Sequence, residues 1–198
     1  MSRHPIEARH PIEAESYAIL RSRVDTSALA PLTRAVVERV VHASADVTYV
    51  ADLVCDEAAL AGGVAALRRG APVVADVEMV AAGIAADVVC RIRDPRADQV
   101  GITRSAGGIR VAFAEVGPGA VWVVGCAPTA LVELLALPAA PALVVGLPVG
   151  FVGAVESKRA LRGSGLPAVS NVSEKGGSAV AAAAVNALLY ADVPEVDR

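Results

Sequence analysis

The sequence predicts an α/β protein: a single domain of three layers, in which helices cover both faces of a mainly parallel sheet. Short Val-rich runs alternate with helical segments along the chain, which is the pattern of βα units. These runs lack the polar alternation of a strand with one solvated face, so we expect the sheet to be covered on both sides. Hydrophobic residues make up 55% of the 198 residues and aromatic residues only 3%, so Ala, Val and Leu must fill the core. This length suits one well-buried domain.

The predicted elements begin with two helices and continue as alternating strands and helices. The helices near residues 11–23 and 31–44 each have a proline at the first position, where no N–H is needed. Strands are predicted at Tyr49–Cys55, Pro72–Ala75, Asp87–Ile92, Ala120–Gly125, Ala142–Leu147 and Ala168–Asn171. The remaining helices are predicted near residues 57–69, 77–85, 104–115, 127–137, 153–162 and 176–190.

The last predicted helix consists of small and apolar residues and carries no charge. Its Ala181–Ala184 run has two explanations. The helix either belongs to the core of one subunit or presents a small-residue face to a second subunit. Both stay open at this point, and we expect a homodimer.

The composition argues against two kinds of partner. The formal net charge is −3, which disfavours nucleic acid or an anionic membrane surface as the main partner. Residues 134–155 carry no charge and are long enough to span a bilayer. However, three prolines and three glycines interrupt this stretch, so we predict a short buried strand between two loops and no membrane association.

The N-terminus contains a direct repeat, in which Arg3–Ala8 recurs as Arg9–Ala14. We expect residues 1–9 to be a disordered or poorly ordered extension and residues 10–198 to form the domain. The N-terminal residues lack the apolar segment of a secretion signal, so a cytoplasmic protein is expected. The cysteines show no zinc or redox spacing, and we predict no metal site and buried, reduced thiols. These cysteines are Cys55, Cys90 and Cys126.

His42 is the only histidine after residue 10. Free imidazole titrates at about 6.5, so His42 is the first candidate for acid–base chemistry near neutral pH. The helix that begins at Pro31 places it outside the apolar stripe, on the side of Glu38 and Arg39. His42 is therefore either a solvated residue paired with Glu38, or a proton donor beside the fixed cation of Arg39 at the mouth of a pocket.

Two further segments could bind a ligand. Ser16 falls within the apolar stripe of the first helix, where it bonds either the carbonyl one turn earlier or a largely apolar ligand. Thr103, Arg104 and Ser105 open a predicted helix after a charged loop. Hydroxyls, a guanidinium and free N–H groups at a helix start suit a carboxylate or phosphate. An N-cap followed by an exposed arginine would have the same sequence.

Two glycine-containing segments, Gly146–Lys158 and Ser173–Ser178, join predicted strands to helices. The first lacks both G-x-G-x-x-G and the Gly-Lys-Ser/Thr ending of a phosphate-binding loop, since Lys158 comes too late. Nucleotide binding therefore has weak support. Both segments follow the carboxyl ends of strands, where α/β folds bind ligands.

Eight segments in a fixed order carry a family resemblance: Ser16–Arg21, Arg39–Ala43, Gly70–Pro72, Asp76–Val80, Thr103–Ala106, Ala127–Leu131, Pro148–Lys158 and Gly176–Ser178. From about His10 to the end of the last helix, the chain resembles the precorrin-8X methylmutase family of cobalamin biosynthesis. The resemblance implies an isomerase (an intramolecular transferase) that moves a methyl group from C11 to C12 of precorrin-8X. The product would be hydrogenobyrinic acid, or cobyrinic acid from the cobalt-containing substrate.

The resemblance also implies roles for single residues. His42 would be the general acid–base residue, and Ser16 and Arg39 would line the substrate site. Thr103, Arg104 and Ser105 would belong to the loop that binds the side chains of the tetrapyrrole. The family needs no organic cofactor and is a homodimer with pockets at the subunit interface. Gly107-Gly108 departs from the more alanine-rich turn of the family.

Two other functions are consistent with the same residues. A tetrapyrrole carrier without a reaction of its own would need the same pocket. An NAD-dependent redox enzyme is suggested only by the α/β pattern, since no dinucleotide motif is present.

Overall fold

The computed structural model describes residues 11–191, in which helices and strands alternate largely as predicted. The predicted extension, residues 1–9, lies outside the described residues. The helices are α1 (Pro11–Arg23), α2 (Pro31–Ser44), α3 (Tyr49–Asp52), α4 (Glu57–Arg68), α5 (Glu78–Ala81), α6 (Arg104–Val116), α7 (Pro128–Ala136), α8 (Ala154–Gly163) and α9 (Ser178–Leu189). The strands are β1 (Leu53–Cys55), β2 (Val73–Ala75), β3 (Val88–Cys90), β4 (Val121–Val124), β5 (Leu143–Gly146) and β6 (Ala168–Asn171).

The strands form one sheet in the order β1-β6-β5-β4-β2-β3. All neighbouring pairs are parallel except β1 and β6, where Leu53 lies opposite Asn171. The sheet is therefore mainly parallel, as predicted. After β3 the chain crosses to the other side of β2 to form β4, so the strand order reverses between β2 and β4. A crevice outside the carboxyl ends of the strands at such a reversal is the usual ligand site of this architecture.

Helices cover both faces of the sheet, which confirms the three-layer prediction. On one face α2, α4, α5 and α9 pack in a cluster with Val73 and Val121. On the other face α6, α7 and α8 pack with Val74 and Trp122. Neighbouring residues of one strand serve different halves of the core because successive side chains point to opposite faces.

Helix α9 lies between α2 and the sheet. Ala181 and Ala184 are fully buried inside this one chain, because small side chains let the two helices and the sheet approach closely. The core-helix interpretation of the small-residue run is therefore correct. The alternative, in which this face meets a second subunit, is wrong.

Three elements form over only about half of their predicted length. Tyr49–Asp52, predicted as the first half of a strand, is a helical turn, and β1 begins only at Leu53. Asp46 starts this turn by accepting the N–H of Thr48 at 2.9 Å, a local bond that competes with strand pairing. The helix and strand predicted after β2 are also shorter than expected, at Glu78–Ala81 and Val88–Cys90.

The uncharged stretch, residues 134–155, contains β5, which is buried along its whole length, with loops on both sides as predicted. No helix within residues 11–191 is long and apolar enough to cross a membrane. Cys55 and Cys90 are half-buried free thiols, but Cys126 is exposed. Its expected burial is wrong because it lies in the turn after β4, past the buried end of the strand.

Candidate active site

Helices α1 and α2 bring Ser16 and His42 together. The Ser16 hydroxyl lies 2.8 Å from Nδ1 of His42, a partner that neither interpretation of Ser16 anticipated. The ring of Tyr17 stacks on the imidazole, with the ring centroids 5.0 Å apart and the planes 9° apart. Tyr17 is buried, whereas Ser16 and His42 are half-buried. These contacts orient the imidazole and leave Nε2 for another partner.

Ser16 and His42 line an open cavity of about 270 Å³ between α1 and the C-terminal end of α2. Most of its walls are apolar, which suits the face of a flat conjugated ligand. In the described part of the chain, no group of three or more His, Cys, Asp and Glu side chains could hold a metal ion. The cavity is lined by Ile12, Glu15, Ser16, Ile19, Leu20, Arg23, Val41, His42, Ala45 and Val47.

Glu38 belongs to a separate buried network, so the alternative in which His42 pairs with Glu38 is wrong. Its carboxylate accepts hydrogen bonds from Arg21 at 3.1 and 2.6 Å, Thr26 at 2.6 Å and Arg34 at 2.9 Å. Burial opposes the charged form of the carboxyl, but these donors outweigh it and lower the pKa of Glu38 to about 2. The network joins α1 to α2 and thereby fixes one wall of the cavity.

Arg39 lies one turn before His42 on α2 but is not among the residues that line the cavity. Its Nη1 donates to Glu13 at 2.8 Å. Its guanidinium carbon lies over the ring of Tyr190, 5.4 Å from the ring centroid. A guanidinium has five N–H donors, so the bond to Glu13 leaves donors for a second carboxylate.

Thr103, Arg104 and Ser105 form the start of α6, on the opposite face of the sheet from α2. Thr103 is the N-cap and accepts the N–H of Ala106 at 3.3 Å. Its hydroxyl also lies 2.7 Å from that of Thr129 and 3.1 Å from that of Ser105. Arg104 is exposed and has a long 3.4 Å contact with Asp98. The three predicted residues thus lie together, at the carboxyl edge of the sheet and outside the His42 cavity.

Asp76 is a site feature for which the sequence analysis assigned no role. It follows β2 directly, is 1% exposed, and accepts the backbone N–H groups of Gly125, Cys126 and Ala127 at 3.1, 2.9 and 2.8 Å. Burial raises the pKa of Asp76, and the three N–H donors act in the opposite direction. A carboxylate directly after a buried strand was the only sequence signal that could have drawn attention to it.

Lys158, which comes too late to complete a phosphate-binding loop, has a structural role. It is fully buried, and its ammonium donates to the side chain of Asn171 and to the carbonyls of Ser173 and Lys175. Burial lowers the pKa of Lys158 to about 8. Lys158 therefore fixes the loop after β6. The side chain of Lys175 in turn binds Asp46 beyond the end of α2, so this loop also supports the region around His42.

The comparisons with known proteins agree with one another. A family model described as "Precorrin-8X methylmutase" matches residues 11–191. The chain is 41% identical to the cobalt-precorrin-8 methylmutase of Salmonella typhimurium, over 94% of this chain and 97% of that protein. It is 40% identical to the precorrin-8X methylmutase of Pseudomonas aeruginosa, over 89% and 93%. The crystal structure of the Thermus thermophilus precorrin-8X methylmutase superimposes with a TM-score of 0.82, at 34% identity and over 91% and 96% of the two chains.

Proposed function

Since this chain belongs to the precorrin-8X methylmutase family, isomerases of cobalamin biosynthesis, we propose that His42 is the general acid–base residue of its methyl shift. The substrate is precorrin-8X or its cobalt-containing form, and the methyl group moves from C11 to C12 of the macrocycle. The observation that carries the proposal is the imidazole of His42, held by Ser16 and Tyr17 at the wall of an apolar cavity.

The partners of His42 suit a group that changes its proton state. A hydroxyl can either donate or accept a hydrogen bond. When imidazolium gives the proton of Nε2 to the substrate, the neutral imidazole keeps its hydrogen on Nδ1, so Ser16 accepts from Nδ1–H before and after the transfer without moving. In both states Nε2 faces the substrate, and stacking on Tyr17 keeps the ring in one plane.

The chemistry requires little more from the protein. A sigmatropic methyl shift takes place within the conjugated ring of the substrate, so no bond to the enzyme forms. A proton or hydrogen bond from His42 to the ring favours the electronic form in which the methyl group migrates. General acid assistance of this kind contributes about 10²–10⁴ in rate.

The acetate and propionate arms of the substrate need cationic and N–H donors. In our proposal Ser16 and Arg39 contact the substrate beside His42, and Thr103, Arg104 and Ser105 hold more distant arms. Arg39 and Arg104 can form charge-assisted hydrogen bonds to these arms, and the N-terminus of α6 supplies further N–H donors.

We further propose a homodimer with its pockets at the subunit interface. The volume of the His42 cavity is about 270 Å³, which is less than the ~300–1,000 Å³ of sites that bind drug-sized ligands. A tetrapyrrole with its arms is larger than such ligands. Ile12 and Ile19, at the cavity rim on α1, are 70% and 45% exposed. A second subunit over α1 would cover these residues and enlarge the site. The cytoplasm stays the predicted location.

Replacing His42 tests the proposal. We expect His42→Ala and His42→Leu to lower kcat by about 10²–10⁴ and to leave pigment binding nearly intact. Turnover is followed as the absorbance change from substrate to product. Cobalt-free and cobalt-containing substrates are both assayed, because relatives with either name are about equally similar.

A matched pair of serines on α1 provides the control. Ser16→Ala removes the partner of Nδ1 and should lower kcat by about tenfold. Ser22→Ala removes only a bond to the carbonyl of Ile19 in the same helix and should not change kcat. Unchanged turnover in the His42 variants would refute the acid–base role. Tight pigment binding by the wild-type protein without any methyl shift would instead favour a carrier.

A further inference from the structure

We propose that Asp76 is a positioning residue for the carboxylate-binding turn at Thr103–Ser105, a role that rests on the function proposed above. Asp76 does not face that turn itself. Its carboxylate binds the three successive N–H groups of residues 125–127, which form the turn between β4 and α7. This turn ends at Pro128, so Asp76 fixes where α7 begins.

The start of α7 carries Thr129, which connects this turn to the predicted substrate loop. The hydroxyl of Thr129 lies 2.7 Å from that of Thr103, which lies 3.1 Å from that of Ser105. The three hydroxyl groups carry three hydrogens, but only two oxygen–oxygen contacts join them, and each contact uses one hydrogen. At least one O–H therefore remains for an acceptor outside it, and Thr103 and Thr129 are exposed to solvent. A carboxylate arm of the substrate is such an acceptor.

The location of Asp76 explains why a carboxylate is needed there. β2 and β4 are neighbours at the reversal of strand order, where related architectures leave the turn N–H groups free for a phosphate. In this chain Asp76 takes those N–H groups itself. The turn then cannot serve as an anion site, and it becomes a rigid support for the hydroxyls of α6 and α7.

Two substitutions test this arrangement by different means. Asp76→Asn keeps the shape but replaces one acceptor oxygen by an NH₂ group that faces N–H donors. Thr129→Val removes only the exposed hydroxyl. We expect each to weaken affinity for hydrogenobyrinic acid by about tenfold, measured by absorbance titration. With precorrin-8X, KM should rise to a similar extent and kcat should stay within about twofold.

The double variant separates positioning from two independent effects. If both residues act through Thr103, the double variant that combines Asp76→Asn and Thr129→Val should bind the pigment no more weakly than the single variant with the lower affinity. The control is Glu57→Gln. Glu57 also accepts two backbone N–H groups, those of Leu32 and Thr33, but these lie at the N-terminal end of α2, remote from His42. Its pigment affinity should equal that of the wild type.

Wild-type affinity in Asp76→Asn, or additive losses in the double variant, would overturn the inference. Should Asp76→Asn fail to fold, Thr129→Val decides: a tenfold loss supports the inference and wild-type affinity overturns it. Binding of hydrogenobyrinic acid does not require turnover. Normal activity of the His42 variants would therefore refute the acid–base proposal without deciding whether Asp76 positions the Thr103–Ser105 turn.

Discussion

Glu38 keeps its charge in the interior because three side chains donate to it. The carboxylate is 4% exposed, and an isolated ion there would be strongly destabilising. Arg21, Thr26 and Arg34 come from three different segments, so this single residue connects α1, the following loop and α2. The Ser16–His42 contact lies between the same two helices and depends on the same packing.

Acid should therefore weaken the α1–α2 connection. The pKa of Glu38 is lowered from an ordinary 4.5 to about 2, so its contribution to stability is complete above pH 4.5 and is lost as the pH falls towards 2. We expect Glu38→Gln to destabilise the fold by about 1–3 kcal/mol at pH 7. The difference from wild type, measured by urea unfolding, should shrink between these pH values. A constant difference would contradict this role.

At the scale of elements, the start of α6 is held by a close approach of backbones. A Cβ atom at Gly107 would overlap the carbonyl oxygen of Ala97 in the short helical turn Pro95–Ala97. Only glycine lets the first turn of α6, with Thr103 and Ser105, lie this close to that turn. Glycine at position 107 thus has a steric reason.

Two glycine substitutions with opposite effects test this packing. Gly107→Ala should destabilise the protein by about 1–3 kcal/mol and weaken pigment binding, because the helix start must move. Gly62→Ala is the control, since Gly62 is an exposed residue inside α4 with no atom near the new methyl group. That change should stabilise by about 0.5–1 kcal/mol through helix propensity. Thermal unfolding measures both, and equal effects of the two changes would refute the argument.

At the scale of the whole molecule, the predicted ligand groups lie on both faces of one sheet. His42 is above the face covered by α2 and α9, and Thr103 precedes α6 on the other face. Both lie at the edge where the parallel strands end. A large substrate with several arms would be able to contact groups that no small cavity brings together.

A charge on the proposed dimer face tests the assembly. Ile19→Glu would bury a carboxylate in the interface and weaken association by about 2 kcal/mol, or about thirtyfold. We expect a monomer by light scattering, with activity lost in proportion. Val132→Glu is the matched control, because Val132 is a similarly exposed residue on α7. Full activity of an Ile19→Glu monomer would contradict shared pockets.

Most of the fold followed from local patterns. The unbroken apolar runs of β4 and β5 and the prolines that open α1 and α2 are signals within single segments, and each element formed where expected. Tyr49–Asp52 was mispredicted because its apolar residues suit a strand, while hydrogen bonds from Thr48 to Asp46 and from residues 172–173 to Asp52 shape the turn and its surroundings.

For the site, the available residue types could be read from the sequence: one imidazole after residue 10, a serine on an apolar stripe and a hydroxyl-rich helix start. Tertiary structure alone decided their partners. Ser16 meets His42 from 26 positions away, and Asp76 binds a turn about 50 positions further along the chain. Glu38 does not pair with His42 but accepts from Arg21 and Thr26 of other segments, in addition to Arg34 of its own helix. Periodicity reports which face of an element is buried, but contacts between elements depend on how those faces pack, and no spacing within one segment encodes that.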